Sequence, residues 1–360
     1  MKALELRAGP KALAHIRAHG LRAADIGVIP AAAGGPKGLI LQALDQWLFG
    51  TWLPAAPRAR SLIGASIGAW RMAAACHADP VSAFERLGHF YAEQRYPKDP
   101  PPQMIQDMCR QLLADFLGGH EEEIVANPHF RLHILTVRGL GLLTAPRGKR
   151  AATLGFTAAT LSNTLGRKRL ARHLERVVIG DARDDLAWLK QDFDEFNNRF
   201  APLAAGNLAP ALLASGAIPL IMPPVSAIPG APDGTYWDGG LIDYHLSLPY
   251  DRATPDLVLY PHFESRVVPG WLDKTMPWRH RLPAARGTWY DNLVLLSPSP
   301  AFLATLPRGK LLDRKDFYHY GLDHDARIRA WQQAISQARQ LRDEFIAFVE
   351  RPDINQILPL

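Results

Sequence analysis

The chain has 360 residues, enough for one large domain or two ordinary ones, with 48% hydrophobic and 21% charged residues. This balance is typical of globular proteins and excludes a wholly disordered or fibrous chain. The formal charge of +6 is compatible with an anionic partner, whereas only two cysteines, Cys76 and Cys109, exclude a disulfide scaffold.

No uncharged apolar run reaches the length of about 18 residues that would predict a membrane-spanning helix. The N-terminal segment carries charges at Lys2, Glu5, Arg7 and Lys11, and it lacks the apolar core of a signal peptide. We therefore expect a cytoplasmic protein that is at most peripheral to a membrane.

The apolar pattern at the start of the chain predicts an α/β fold. A buried strand over residues 25–33 ends at the turn Gly34-Gly35-Pro36 and precedes a helix over 39–49. A second short strand over 61–65 precedes a helix of small residues over 66–78. Two successive strand–turn–helix units indicate a mostly parallel central sheet flanked by helices.

Further elements continue the pattern to the C-terminus. Helices are predicted over 8–19, 80–96, 102–117 and 328–349, and strands over 130–137, 177–180 and 257–261. The sequence contains no fixed-period repeat and no long linker. We therefore expect a single domain over 1–360, with a motif core over 25–250 and a C-terminal helix over 322–350 packed on it.

The segment Gly64-Ala65-Ser66-Ile67-Gly68 has the form Gly-x-Ser-x-Gly and lies between a predicted strand and a predicted helix. A serine hydroxyl is a weak nucleophile unless it is exposed and oriented, and a sharp strand-to-helix turn does both. The two glycines let the turn close without Cβ clashes, and the helix N-terminus favours developing negative charge. We interpret Ser66 as a nucleophile; the alternative is a structural serine in a glycine-rich turn.

The segment Ala32-Ala33-Gly34-Gly35-Pro36-Lys37-Gly38 lies where the first strand ends and a helix begins. Its backbone N–H groups can donate to one anion, either a nucleotide phosphate or the oxyanion formed in acyl transfer. The Rossmann pattern fails because Ala33 occupies its first glycine position, and the Walker pattern fails because Gly38 follows Lys37. The serine elbow on the next strand favours the oxyanion.

An aspartate precedes two glycines in Trp237-Asp238-Gly239-Gly240. An aspartate on a tight turn can reach the end of a neighbouring strand, although an ordinary Asp-Gly turn explains the same sequence. To accept a proton from serine it must be desolvated, because its ordinary pKa is about 4. The neighbouring Tyr236 and Trp237 are candidates for an apolar wall around it.

Together these segments resemble the patatin-like phospholipase family. Gly34-Gly35-Pro36-Lys37-Gly38 resembles its oxyanion loop, Gly64 to Gly68 resembles its nucleophile elbow, and Asp238-Gly239-Gly240 resembles its Asp-Gly-Gly/Ala turn. The segment Ala214-Ser215-Gly216-Ala217-Ile218-Pro219, continuing to Met222-Pro223-Pro224, resembles the family's Ala-Ser-x-Ala-x-Pro…Pro-Pro segment. The four parts follow the family's order over residues 32–240.

The resemblance implies a three-layer α/β fold and a hydrolase that cleaves acyl esters of lipids without a cofactor or a metal. It also implies a dyad, with Ser66 as the nucleophile and Asp238 as the general base. The N–H groups of Gly34 and Gly35 would form the oxyanion hole. The chain departs from the family's usual Asp-Gly-Gly-Gly because two alanines begin its loop. We expect the hole to survive because Ala33 retains an N–H group.

Two other interpretations remain open. A Ser–His–Asp hydrolase with an α/β-hydrolase fold is compatible with the chain order. The histidines that follow Asp238 and could serve it are His245, His262, His319 and His324. Each is equally compatible with a surface or hydrogen-bonded structural role. The second alternative is a non-enzymatic basic protein that docks on an anionic membrane surface.

Residues 138–176 form a basic stretch with nine lysines and arginines and a single acid, Glu175. Few aromatic residues accompany it, so we predict contact with an anionic membrane and no nucleic-acid partner. The alternative is internal pairing with the acidic residues in 181–195. The spacing of four of the bases places part of the stretch on one helical face. These four bases are Arg167, Lys168, Arg169 and Arg172.

Overall fold

The computed structural model describes residues 2–360 and contains ten β-strands in one mixed sheet. The strands are β1 (Leu4–Ala8), β2 (Ile26–Ala31), β3 (Arg60–Ala65), β4 (Phe130–Gly139), β5 (Leu174–Gly180), β6 (Asn198–Pro202), β7 (Tyr236–Asp238), β8 (Leu257–Pro261), β9 (Leu293–Pro298) and β10 (Ile357–Pro359). Nine strands follow the order β10-β1-β9-β8-β2-β3-β4-β5-β6, and β7 pairs with β4.

Six of the nine strand pairings are parallel, and the five consecutive strands β9-β8-β2-β3-β4 are all parallel to one another. Every residue of β2, β5, β8 and β9 is buried. Strands covered on both faces read as continuous apolar runs, which is why the sequence predicted β2, β8 and the second half of β5, whereas β9 was not predicted. The predicted mostly parallel α/β sheet with flanking helices is confirmed.

Fifteen α-helices are present in residues 2–360. They are α1 (Pro10–His19), α2 (Gln42–Trp47), α3 (Ile67–Ala75), α4 (Pro80–Ala92), α5 (Pro102–Leu117), α6 (Glu121–Ala126), α7 (Gly148–Thr164), α8 (Arg167–Leu170), α9 (Ala187–Lys190), α10 (Ala205–Ser215), α11 (Tyr250–Ala253), α12 (Pro300–Leu303), α13 (Lys315–Tyr320), α14 (His324–Gln337) and α15 (Arg339–Glu350). Among residues 2–360 no helix combines the length and the hydrophobicity needed to cross a bilayer.

Two predicted helices differ from the observed ones. The helix predicted over 39–49 is a 3₁₀ segment at Gly35–Leu41, then α2, then a π turn at Leu48–Trp52. Two glycines and a proline at its start favour a tight turn over an α-helix. The closing helix is divided into α14 and α15 at Ala338, where ψ is −4°. Its apolar stripe survives the break because Trp331, Ala338 and Phe345 all remain buried.

A second, smaller apolar cluster is formed around strands β4 and β7. In it, the ring of Phe156 on α7 meets the ring of Trp237 on β7 edge to face, with centroids 4.9 Å apart. Leu241 and Ile242 pack in the same cluster. Helix α7 therefore covers the strand that ends in Asp238 and helps to fix its position.

Candidate active site

The glycine turn and the serine elbow lie at the same edge of the sheet. Strands β2 and β3 are parallel neighbours, with Ala31 opposite Gly64. The glycine turn directly follows β2 and Ser66 directly follows β3. Because parallel strands end at one edge, the two segments come together there, as expected for ligand sites in parallel sheets.

The backbone at Ser66 has the sharp conformation that the elbow pattern predicts. Its φ is 54° and its ψ is −130°, a left-handed conformation that costs energy for a residue with a Cβ. A Cβ on Gly64 would lie 2.5 Å from the nitrogen of Ala69, and one on Gly68 would lie 2.0 Å from the carbonyl oxygen of Ala31. Both glycines are therefore required for the turn to pack against β2 and α3.

Ser66 and Asp238 are in direct contact. The Ser66 hydroxyl donates a hydrogen bond of 2.9 Å to Oδ2 of Asp238. The other carboxylate oxygen, Oδ1, accepts the N–H of Gly240 at 2.7 Å. Both side chains are buried, with Ser66 at 7% and Asp238 at 8% exposure. In this geometry the Asp238 carboxylate is within hydrogen-bond distance of the proton that Ser66 would lose if it acted as a nucleophile.

Strand β7 holds Asp238 by pairing with β4. Thr136 lies opposite Asp238, and its hydroxyl donates to the carbonyl oxygen of Trp237 at 2.8 Å. A Cβ on Gly239 would lie 2.2 Å from the carbonyl oxygen of Leu135, so only glycine fits after the aspartate. The Asp-Gly-Gly sequence thus lets the chain pass close to β4 and present the carboxylate to Ser66.

Burial raises the pKa of Asp238 to about 6, and the hydrogen bonds from Gly240 and Ser66 oppose this rise. The expected desolvation of the base is therefore present. The expected apolar wall is partly wrong, because successive residues of a strand point to opposite faces and Trp237 faces the α7 cluster instead. Tyr236 is the neighbour that shares the face of Asp238.

Ser215 holds the elbow to the sheet. Its hydroxyl accepts the backbone N–H of Ser66 at 2.8 Å and donates to the carbonyl oxygen of Leu135 at 2.6 Å. The side chain is fully buried. The sequence analysis identified this segment only by its resemblance to the family and predicted no role for Ser215. The position of Ser215 next to Ser66 could not be predicted, because it depends on the packing of α10 against β4.

The glycine turn has two N–H groups without a partner. Neither Gly34 nor Gly35 donates a backbone hydrogen bond to any group in residues 2–360. Ala33 is different, because its N–H donates to the carbonyl oxygen of Tyr244 at 2.9 Å. The expectation that Ala33 could complete an oxyanion hole is therefore wrong, and the free donors are the two glycines.

Residues from beyond the turn fix its position. A Cβ on Gly34 would lie 2.4 Å from the ring of Phe263, so the turn packs directly on that ring. The Lys37 ammonium forms an ion pair with Glu264 and lies 5.2 Å from the centre of the Phe263 ring. Gly38 packs against Ile67 of α3, with 3.2 Å between its Cβ position and Cγ2. Lys37 thus joins the turn to the segment after β8.

The four histidines of the alternative triad make no hydrogen bond to Ser66 or Asp238 in residues 2–360. His245 and His262 are fully buried and their rings meet edge to face, 4.3 Å apart. Burial lowers the pKa of both, to about 3 for His262, so both are neutral. His319 is exposed.

The basic stretch is divided between buried ion pairs and free surface. Arg176 is buried and pairs with Asp194 at 2.6 Å and with Asp243 at 2.7 Å. Arg138 pairs with Glu175 at 2.6 Å, and Arg167 pairs with the buried Asp273. The remaining bases are exposed and form no ion pair within residues 2–360: Arg147, Lys149, Arg150, Lys168, Arg169 and Arg172. Internal pairing therefore accounts for three of the nine bases.

The expected helical face of bases is wrong. Helix α8 ends at Leu170, so Arg172 follows it in a turn, and Arg167 is directed to Asp273. The sequence also missed a group of possible metal ligands at the far end of α3, formed by His77, His120 and Glu123. Their ligand atoms lie within 4.8 Å of one another, but the Glu123 carboxylate already accepts the N–H of Ala78.

The comparisons agree with this geometry. The family model of the patatin-like phospholipases matches residues 32–246, which contain the glycine turn, the elbow, Ser215 and Asp238. Comparison with curated proteins finds no match.

Proposed function

The chain belongs to the patatin-like phospholipase family of hydrolases that act on lipid esters, and on this premise we propose that it cleaves acyl esters through a dyad of Ser66 and Asp238. The observation that carries the proposal is the 2.9 Å hydrogen bond from the Ser66 hydroxyl to the Asp238 carboxylate. The raised pKa of Asp238, about 6, makes it a stronger base than an ordinary aspartate.

The reaction proceeds in two halves. Ser66 Oγ attacks the ester carbonyl carbon while its proton passes to Oδ2 of Asp238. The tetrahedral intermediate collapses, the proton passes to the leaving alcohol, and the acyl group stays on Ser66. Water then attacks the acyl carbon, Asp238 takes a proton from it, and the same proton returns to Ser66 as the fatty acid leaves. No step needs a cofactor.

The negative charge of each tetrahedral intermediate falls on the former carbonyl oxygen. The N–H groups of Gly34 and Gly35 are the donors that we assign to it, because they have no other partner and follow β2 beside the elbow. One such donor contributes roughly 10²- to 10³-fold in rate.

The direct test is hydrolysis of a panel of acyl esters by the purified protein and by Ser66→Ala and Asp238→Ala. Each substitution should lower kcat by at least about 1,000-fold, and the double variant should be little worse, because the two residues act as one unit. His319→Gln and His324→Gln, at the two histidines outside the core, are the matched controls and should keep full activity. Full activity in Asp238→Asn with loss in a histidine variant would exclude the dyad and favour the triad.

We also propose that the outer face of α7 docks on an anionic lipid surface. Leu154 and Leu165 are each 68% exposed, and Leu161 is 61% exposed. Their spacing places them in one row along the helix. Free bases flank both ends of the row, Arg150 near its start and Lys168 after its end. A helix that binds at a membrane interface typically inserts apolar side chains into the acyl region and contacts anionic headgroups with basic side chains. The exposed leucines and the flanking bases of α7 fit this pattern.

The docking test compares hydrolysis of vesicles with hydrolysis of a soluble short-chain ester. The double change Leu154→Gln with Leu161→Gln should lower binding to phosphatidylglycerol vesicles and lower the ratio of vesicle to soluble-ester hydrolysis by about tenfold or more. Leu322→Gln, a leucine 63% exposed elsewhere on the surface, is the control. Unchanged vesicle binding would exclude this face as the docking surface.

A further inference from the structure

An arginine from outside the matched region reaches the glycine turn. Arg314 directly precedes α13, far along the chain from the residues of the dyad. A Cβ placed on Gly35 would lie 3.8 Å from Cγ and 3.9 Å from Cδ of Arg314, and 3.5 Å from the hydroxyl of Tyr91. The stem of the arginine therefore packs over the turn that we assign to the oxyanion hole.

The charge of Arg314 is not neutralised by the protein. Among residues 2–360 no carboxylate lies within 4.0 Å of its guanidinium, although the side chain is half-buried. Its neighbours are already paired, because Lys310 contacts Asp313 at 3.2 Å and Asp316 at 2.8 Å. The guanidinium instead lies 5.7 Å from the centre of the Trp271 ring. A partly desolvated cation without a counter-ion is costly unless something else binds it.

A second cation without an ion pair among the described residues lies near Tyr244. The Lys274 ammonium lies 5.1 Å from the centre of the Tyr244 ring, and it forms no ion pair with residues 2–360. Tyr244 in turn lies 3.5 Å from the Cβ position of Gly240, the residue that donates to Asp238. Burial lowers the pKa of Lys274, and the positive charges of Lys37 and Arg314 lower it further, whereas the charges of Glu264 and Asp313 oppose this.

We propose that Arg314, assisted by the charge of Lys274, binds the phosphate of a phospholipid headgroup while the ester group lies between Ser66 and the glycine turn. The guanidinium presents two parallel N–H donors, which match two phosphate oxygens. This inference rests on the proposed acyl-ester hydrolysis and assigns a residue that determines the choice between substrates. It predicts a preference for phosphate-bearing esters over neutral glycerides, set by residues after position 246.

The effect of Arg314 on the base supports an anionic ligand. Burial raises the pKa of Asp238, whereas the positive charge of Arg314 lowers it and so makes the base weaker. A bound phosphate neutralises this charge, so the base regains its strength when the correct substrate is present.

The test measures discrimination between two soluble substrates with the same acyl chains. These are dihexanoyl phosphatidylcholine, used below its micelle concentration, and dihexanoylglycerol. In Arg314→Gln the ratio of kcat/KM for the phospholipid to kcat/KM for the glyceride should fall about 10- to 100-fold, mainly through a higher KM, because one charge-assisted contact is lost. Arg314→Lys keeps the charge but loses the two parallel N–H donors. Its ratio should therefore lie between those of the wild type and Arg314→Gln.

The control is Lys315→Gln, which removes a neighbouring exposed charge that forms no ion pair in residues 2–360 and should leave the ratio unaltered. A ratio that stays constant in Arg314→Gln, or kcat that falls equally on both substrates in Arg314→Gln and Arg314→Lys, overturns the phosphate site and leaves the esterase intact. If the wild-type protein cleaves neither substrate nor any other acyl ester, the proposed function itself fails. A Tm within a few degrees of wild type shows that each variant is folded.

Discussion

Residues 32–246, which the family model covers, and residues 247–360, which follow it, meet at the glycine turn after β2. The first region contains Ser66 and Asp238, the groups to which we assign bond breaking, and holds them by close backbone packing. The second region supplies side chains that contact the turn from outside, among them Phe263 and Arg314. If both proposals hold, the reaction and the choice of substrate can be altered separately, since the residues assigned to them lie in different parts of the chain.

Apart from substitutions of Ser66 and Asp238 themselves, the largest effect should come from the glycine turn. Gly35 has a φ of +57°, and a Cβ there would meet no atom closer than 3.5 Å, so Gly35→Ala fits sterically but strains the backbone. The strain should misplace the N–H donor and lower kcat by about 100-fold, with little change in KM, because the contact forms mainly in the transition state. Steady-state kinetics on a soluble ester measure both constants.

The opposite result, a higher KM with kcat unaltered, would show that the turn binds the ground state. Gly206→Ala is a matched control, because its added Cβ meets nothing within 4 Å in helix α10. It should leave both constants close to wild type.

The next largest effect should come from removing the Ser215 hydroxyl, which holds the serine elbow to the sheet. Ser215→Ala leaves the buried N–H of Ser66 and the carbonyl oxygen of Leu135 without this partner. A small displacement of the nucleophile should lower kcat between about 10- and 100-fold and also lower the Tm. A variant with the stability of wild type and full kcat would show that the elbow keeps its shape through its glycines alone.

The sequence predicted the local geometry of the site better than its surroundings. The elbow and the Asp-Gly-Gly turn could be predicted because steric demands on a few consecutive residues determine them, as the short distances at Gly68 and Gly239 show. Strands β2, β3 and β8 were predictable because they are continuous apolar runs between turn residues.

Other features could not be predicted, because they depend on contacts between distant segments. Strand β1 pairs with β9 and β10, so it exists only because the end of the chain returns to its beginning. The contacts of Arg314 with Gly35 and of Lys37 with Glu264 join residues more than two hundred positions apart. No spacing rule relates such residues, and the same holds for the division of the basic stretch into paired and free charges.

The pH dependence of kcat/KM tests the proposed role of Asp238 and the effect of Arg314 on it. Because the base must be ionised and its pKa is raised to about 6, kcat/KM for a neutral soluble ester should fall about tenfold per pH unit below pH 6 and level off above it. The groups that face the carboxylate are the Ser66 hydroxyl, the Gly240 N–H and Arg314. Removing the charge in Arg314→Gln should move the midpoint of the profile upwards, since this cation favours the ionised form.

The pH dependence of the Tm gives an independent test of the raised pKa of Asp238. A carboxyl group whose pKa is higher in the folded than in the unfolded state stabilises the fold at low pH, and this contribution is lost as pH rises through about 6. Asp238→Asn should therefore raise the Tm relative to wild type at pH 8, and the difference should vanish near pH 4. A variant less stable than wild type at pH 8 would contradict the buried, raised carboxylate.

The smallest effect should come from the ion pair that joins the turn to the second region. Glu264→Gln keeps the shape of the side chain but removes the charge that pairs with Lys37. Both groups are partly exposed, so the pair contributes little to stability, and the Tm should change by only a few degrees. Loss of the Glu264 charge leaves the positive charges of Lys37 and Lys274 less neutralised, which should lower KM for dihexanoyl phosphatidylcholine about two- to fivefold without a matching change for dihexanoylglycerol. Glu85→Gln, which removes an exposed acid that pairs with no base in residues 2–360, controls for net charge. Equal changes of KM for both substrates would mean that Glu264 acts by positioning the glycine turn. The reaction and the choice of substrate could then not be assigned to separate regions of the chain.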